Sequence, residues 1–404
     1  MCPEPILQDR SRCLVTMSDN TYDVVIVRYD EIALKSPQVR RRFEDVLISR
    51  IKTALSRRDI AYSGVTREWG RIFVHTSDRG AADAISRVFG TASASPAITI
   101  DATLKSAADT AAEVGEDLIN DGESFAIRAS RAGIHDFTSI DLAIACGDSV
   151  VGCTSAKVDL TNPDREISVD MRQERAYIYT RIAAGVGGLP YGTQGKMIAL
   201  VSGGIDSPVA AWMLMRRGAE VIPLYFDLEE FTDPKSRELA EQSINSLFEW
   251  SYSDMTAYRV PYGAVLSEIA SHCEPRITCV ICKRMMYRIG TLVAEKEAAC
   301  GIVTGSSLGQ VASQTSQNMF AEIHGLGMPI YHPLIGMDKR EIIDRAIRIG
   351  TFRTEKPAIE CAAVPDRPMT AVAVARVAEN EARIDVARIV SDAVAGSSVL
   401  ELLQ

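Results

Sequence analysis

No apolar stretch in the sequence approaches the roughly 18 residues needed to cross a bilayer. The first twenty residues, Met1 to Asn20, mix Cys, Pro, Asp and Arg and contain no signal-peptide core. These absences argue against a membrane span or a secreted product, and a cytoplasmic protein is expected. Regular patterning begins only after Met17, which is then a candidate start. There is no internal repeat and no low-complexity segment. At 47% hydrophobic and 24% charged, the composition excludes a disordered or fibrous chain. With 404 residues, the chain is too long for one core, and two or three domains are expected.

Positive charge is also lacking overall: the net charge is −9. The total hides a segregation, however. Residues 21–80 carry 12 Lys and Arg against 8 Asp and Glu, residues 81–185 carry 9 against 16, and residues 186–404 carry 21 against 26. A basic N-terminal unit on an acidic chain permits local phosphate contact without a globally basic protein. Nine cysteines in an unsecreted chain argue for thiol, metal or redox chemistry rather than a disulfide framework.

The β-branched run at residues 23–28 predicts a strand. Val39, Phe43, Val46, Leu47, Ile51 and Leu55 repeat at helical spacing, with Arg40, Arg41 and Arg42 largely off that stripe. Strands near 60–64 and 71–75, a helix over 81–89 and a strand at 97–100 complete a βαββαβ order, the ferredoxin-like pattern. A second α/β unit begins at Phe125, with strands around 166–172 and 176–183. Residues 185–195 hold five glycines and a proline and mark a domain boundary. Beyond it strands and helices alternate over 197–201, 208–217, 220–226, 234–249, 256–260, 284–298 and 301–304. That alternation predicts a doubly wound parallel sheet, followed by a helical tail over 369–394.

The sharpest local signal is the apolar run Met197 to Val201 followed by Ser202-Gly203-Gly204-Ile205-Asp206-Ser207-Pro208. A buried strand running into two glycines and a helix start lets backbone amides approach an anion, and the helix dipole favours it. No Gly-Lys-[Ser/Thr] follows, so this is not a Walker loop. It resembles the SGGxDS loop of N-type ATP pyrophosphatases, which adenylate a substrate. Asp206 beside the phosphates is placed to hold Mg²⁺ or steer pyrophosphate. Tyr225 and Phe226 end the next strand, where they can stack on adenine or simply pack in the core.

Thr278-Cys279-Val280-Ile281-Cys282 supplies a Cys-x-x-Cys pair, with Cys361 distant in sequence. Such a pair can be redox-active, bind zinc with Cys273 or His272 and Cys361 completing the set, or hold an iron–sulfur cluster. Cys2, Cys13, Cys146, Cys153 and Cys300 lack such spacing and read as plain small residues.

Taken with residues 28–36, 188–192, 304–315 and 333–343, these segments resemble the tRNA 4-thiouridine synthetase (tRNA sulfurtransferase) family in its form without a rhodanese domain. The resemblance implies an α/β multidomain chain: an extension over 1–22, a ferredoxin-like domain over 23–80, an RNA-binding THUMP domain over 81–185, and a PP-loop ATP pyrophosphatase domain over 186–404. It implies ATP-dependent thiolation of uridine 8 in tRNA through an adenylated uridine. Asp206, Lys339 and Cys361 would be catalytic. Ser202, Gly203, Gly204, Ser207, Tyr225, Phe226, Gly305, Gln310 and Gln314 would surround ATP. Cys279, Cys282 and Cys361 would ligate a 4Fe-4S or 3Fe-4S cluster, and Arg40, Arg41, Arg42, Arg128 and Arg131 would contact tRNA. The family's lysine three residues after Arg131 is replaced by Ile134, with His135 beside it. Sulfide or a desulfurase would supply sulfur, and a homodimer is the assembly kept in view. An amidating pyrophosphatase acting on a small metabolite and a non-catalytic RNA-binding protein are the alternatives.

Overall fold

The structure, a computed structural model, describes residues 22–355 and 361–402. The extension over 1–22, with Cys2 and Cys13, therefore lies outside the described residues but for Tyr22. The elements run β1 (Val24–Arg28), α1 (Pro37–Ser56), β2 (Gly64–Glu68), β3 (Arg71–His75), α2 (Ala81–Ser86), β4 (Ser93–Asp101), α3 (Leu104–Leu118), β5 (Ser124–Arg131), α4 (Ser139–Thr154), β6 (Lys157–Val158), β7 (Arg165–Met171), β8 (Arg175–Tyr179) and β9 (Ala183–Ala184). They continue as β10 (Lys196–Leu200), α5 (Asp206–Arg216), β11 (Glu220–Asp227), α6 (Lys235–Ser251), β12 (Tyr258–Pro261), α7 (Gly263–His272), α8 (Thr278–Lys296), β13 (Ile302–Val303), α9 (Ser316–Ile323), β14 (Ile330–Tyr331), α10 (Lys339–Ile349), α11 (Val374–Glu381), α12 (Val386–Ala395) and β15 (Ser398–Val399).

Two compact units result. The first contains residues up to Tyr29, Leu55–Ser86 and Ala92–Gly185; the second contains Asp30–Ala54, Arg87–Thr91 and Val186 onward. The first is built on one sheet of order β2-β3-β1-β4-β8-β7-β5-β6, with β9 beside β4. The βαββαβ order is present, and β4 continues past it to pair antiparallel with β8. Helices α3 and α4, absent from the sequence expectation, cover the β5–β8 part with Ala107, Ala111, Val114, Leu142, Cys146 and Val150.

The second unit carries the sheet β14-β13-β10-β11-β12-β15. Its β10, β11, β12, β13 and β14 pair in parallel, and only β15 runs antiparallel, at the edge. The near-continuous apolar content of β10 and β11 suits strands buried on both faces. Two apolar layers flank the sheet. One centres on Leu224, Tyr262, Ile281, Met285 and Ile302, the other on Trp212, Val209, Tyr225, Leu247 and Trp250.

The glycine-rich segment 185–195 is packed rather than loose. Tyr191 is 1% exposed, and its hydroxyl accepts a hydrogen bond from the Val221 amide at 3.2 Å. Residues 30–54 join this unit through contacts such as Arg50 Nη1 donating to the Tyr252 carbonyl at 3.2 Å. Glu31 and Arg217 form a bidentate pair at 2.6 and 2.9 Å.

Candidate functional site

Where β10 ends, the chain turns through Ser202–Ile205 into α5, at the carboxyl edge of the parallel strands. This is the place where open α/β sheets bind ligands. The loop is held by its own serines. Ser207 Oγ accepts from the Ser202 amide at 2.8 Å and lies 3.1 Å from Ser202 Oγ. Glycine is required at 203, because a Cβ there would meet Leu239 Cβ at 2.9 Å and the Ser236 carbonyl at 3.0 Å. Ile205, at the N-cap of α5, offers no side-chain cap. The first amides of the helix are thus left for an anion, and the helix dipole adds to their pull.

The loop forms one wall of a cavity of 430 Å³ lined by Ser202, Gly203, Gly204, Asp206, Tyr225, Phe226, Gln310, Gln314 and Lys339. Asp206 is the hub. Its carboxylate accepts from Lys339 Nζ at 2.7 Å and from Gln310 Nε2 at 2.9 Å. Lys339 opens α10, whose start is fixed by a reciprocal capping box between Asp338 and Glu341. Three segments distant in sequence therefore deliver an acid, a cation and an amide to one point.

Tyr225 and Phe226, 4% and 7% exposed, both pack in the core and line the cavity. Ser207 and Gly305 do not line it. Gly305 acts through its backbone instead. A Cβ there would come within 2.6 Å of the Ser207 amide nitrogen, so only glycine lets the strand β13 exit press against the start of α5.

Several lining residues carry no sequence motif: Thr232, Ser236, Thr351, Arg353 and Glu355. Thr232 and Ser236 share a hydroxyl–hydroxyl hydrogen bond of 2.7 Å. Arg353 is pinned by the carbonyls of Gly350 and Phe352 at 2.8 and 2.9 Å. The Thr351 hydroxyl is buried with no partner.

Cys279 and Cys282 lie in the first two turns of α8, which begins six residues earlier than the pattern suggested. Cys361 reaches the same neighbourhood, where the charges of the three thiols act on one another. The segment after it is tied down by the Ala362 amide donating to the Phe231 carbonyl at 2.8 Å. Burial pushes the Cys282 thiol up to about 12 and raises Cys279 as well. All the described cysteines are free. Among the described residues no group of three or more His, Cys, Asp or Glu is arranged to hold a metal ion. The donor chemistry nonetheless fits an iron–sulfur cluster: soft thiols from two segments, with Cys282 and Cys361 both packed against one apolar layer. The closed zinc set with Cys273 or His272 is not assembled. Cys273 donates to the Asn380 carbonyl at 3.6 Å, and His272 lies 3.1 Å from Glu268.

Beside the thiols is a buried polar set that sequence reasoning missed. Lys283 Nζ, Glu322 Oε1 and His332 Nε2 are shut from solvent without a hydrogen-bond partner. Burial pushes the Glu322 carboxyl up to about 8, against the pull of Lys283 and a hydrogen bond with Tyr287. His332 Nδ1 and Thr304 Oγ1 are 2.8 Å apart.

Of the arginines expected at RNA, Arg41, Arg42 and Arg131 are exposed. Arg40 lies 3.9 Å from Glu44. Arg128 is already engaged, donating to Glu166 at 2.8 and 3.0 Å and to the Leu160 carbonyl at 3.1 Å. No helix among the described residues is long and apolar enough to cross a membrane.

Three family models match the chain: the ThiI ferredoxin-like domain over 24–95, the THUMP domain over 101–181, and thiamine biosynthesis protein (ThiI) over 192–386. A probable tRNA sulfurtransferase of Methanosarcina mazei is 48% identical over 394 residues, covering 96% of this chain and 97% of that one. One of Saccharolobus solfataricus is 38% identical, covering 90% and 96%. The crystal structure of a 4-thiouridine synthetase–RNA complex with bound ATP superposes with a TM-score of 0.81 at 27% identity, covering 94% of this chain and 100% of that one. Together with the loop, its aspartate hub and the three-part architecture, these likenesses establish that the chain belongs to the tRNA sulfurtransferase family.

Proposed function

We propose that this enzyme converts uridine 8 of tRNA to 4-thiouridine through an adenylated uridine, and that the cavity at Ser202–Asp206 is its ATP site. The observation that carries the reading is the convergence of Asp206, Lys339 and Gln310 on an uncapped helix start. The solved relative described above, with its bound ATP and RNA, supports it.

The phosphates would rest on the amides of residues 203–206, with adenine toward Tyr225 and Phe226. Uridine O4 attacks the α-phosphorus, the bond to the β-phosphate oxygen breaks, and pyrophosphate leaves. The N3 proton is released, and C4 now carries AMP as a leaving group. Lys339 offsets charge developing on the phosphates, and Asp206 holds that ammonium in place. Asp206 is also the acid that would hold Mg²⁺ together with phosphate oxygens and water.

Sulfide-level sulfur arriving beside Cys279, Cys282 and Cys361 would attack C4: the C–S bond forms, the C4–O bond breaks, AMP departs with the bonding pair, and the sulfur's proton goes to solvent. These three thiolates would hold an iron–sulfur cluster, whose chemistry when bound would be to present the incoming sulfur. The buried thiols favour the neutral form, so loading metal there releases protons. Arg41, Arg42 and Arg131 would meet tRNA phosphates, and sulfide or a desulfurase would be the donor.

The test is pyrophosphate release and thiolation measured side by side with tRNA and ATP. Release that depends on tRNA, followed by thiolation once a sulfur source is added, is expected. Release without tRNA, on a small acceptor, would overturn the reading.

A further inference from the structure

The sequence has three tryptophans. Trp212 and Trp250 are 6% and 4% exposed, in the core of the second unit. Trp69 is 71% exposed. It belongs to the first unit and forms, with Gly70, the two-residue tip joining β2 to β3, where Glu68 pairs with Arg71. Gly70 has φ +76°, which lets the turn close tightly.

A large indole on a hairpin tip costs exposed apolar surface, and a flexible tip would bury it. This tip is instead fixed from below. Arg172 Nη1 donates to the Trp69 carbonyl at 3.4 Å, and Arg71 Nη1 donates to the Gly70 carbonyl at 2.8 Å. Both arginines share the buried carboxylate of Asp170, at 2.9 Å from Arg172 and 3.4 Å from Arg71. Arg28 adds a third cation acting on Arg71, whose own charge is disfavoured chiefly by burial. Two guanidinium groups thus hold one carboxylate beneath the tip, and Arg28 donates nearby to Ser95 at 2.9 Å. Arg131 extends the cationic ground: its partner in the β5–β7 ladder is Met171, next to Arg172.

We propose that Trp69 is a stacking platform for an unpaired base of the tRNA, with the part-exposed Arg71 and the exposed Arg131 serving the flanking phosphates while the buried Arg172 holds the tip. An indole face on a rigid, cationic mount matches what single-stranded RNA needs: a π surface for an unstacked base and positive charge for its backbone. A duplex keeps its bases stacked inside and has no face to offer. The inference rests on the tRNA reading above and adds a recognition element to it.

Because Trp69 is the one solvent-exposed tryptophan, the full-length protein reports on its own contact. Intrinsic fluorescence is followed while an unmodified tRNA transcript is added, and in parallel a blunt-ended RNA duplex. The tRNA is expected to quench emission and the duplex to leave it unchanged. Trp69→Phe should abolish the quench yet bind within a few fold of the parent, since Phe still stacks. Trp69→Ala should weaken binding about tenfold or more, with the slope of log affinity against log salt unchanged. Equal quenching by the blunt duplex, or Trp69→Ala binding like the parent, overturns the proposal. So does a flattened salt slope in Trp69→Ala, which would mark the residue as a mere support for the arginines. A parent protein that binds no tRNA at all would instead defeat the underlying reading.

Discussion

At the scale of single residues, Asp206 and Gly305 make opposite kinds of contribution. Asp206 gathers Lys339 and Gln310 and is half-buried in a polar loop, so its loss removes charge placement without opening a core. Asp206→Ala is expected to lower tRNA-dependent pyrophosphate release by at least about a hundredfold, the scale of losing one preorganised charge partner. The near-ultraviolet circular dichroism should stay as in the parent. Gly305 touches nothing in the cavity, but an added methyl would collide with the backbone at Ser207. Gly305→Ala should therefore cost about 1–3 kcal/mol of stability and reduce the release as well, because the start of α5 must shift. Glu322 makes a pH statement. Its folded-state value near 8 lies above the unfolded one, so the folded chain keeps a proton that the unfolded chain loses near pH 4.3. Stability contributed by that proton declines as pH rises between those values, by about 1.4 kcal/mol per unit, and the decline stops above 8. Tm measured from pH 5 to pH 8 should fall less steeply in Glu322→Gln than in the parent.

At the scale of elements, Lys339, to which the proposed mechanism gives a catalytic role, depends on a helix start. The Asp338–Glu341 capping box sets where α10 begins, and with it where Lys339 projects. Asp338→Ala should cost about 1 kcal/mol and weaken pyrophosphate release several-fold while leaving the thiols untouched. Helix α8 carries two of the three thiols proposed for the sulfur step. Cys279→Ala, Cys282→Ala and Cys361→Ala are each expected to stop thiolation and leave pyrophosphate release in place. Iron and acid-labile sulfide assayed in anaerobically purified protein should be present in the parent and lost in all three; zinc without iron would sink the cluster assignment. These elements also show what could be foreseen. The strand–turn–helix at Ser202–Asp206 was legible because its pattern sits in consecutive residues. The start of α8 was not, since the Cys-x-x-Cys pair hides the first turn of a helix that the apolar pattern reveals only from 284. Helices α3, α4, α7, α9 and α10 went unread as well.

Across the whole molecule, the ferredoxin-like order, the THUMP resemblance and the parallel sheet were all legible from periodicity and motif, and family membership removes the non-catalytic alternative. Thr351, Arg353 and the Lys283–Glu322–His332 set were not legible, because a polar side chain announces neither its burial nor its lack of a partner until distant segments close around it. Residues 30–54 read in the sequence as part of the N-terminal ferredoxin-like domain, and they lie within the stretch 24–95 that matches that domain; their contacts with residues beyond Val186 were not legible. Glu31 finds Arg217, and Arg50 finds Tyr252. A ribosome makes the chain from the amino end at roughly 5–20 residues per second. The helix α1 therefore leaves the exit tunnel many seconds before its partners exist. The contact of its Arg50 with the Tyr252 carbonyl must wait until the residues beyond Val186 are synthesised.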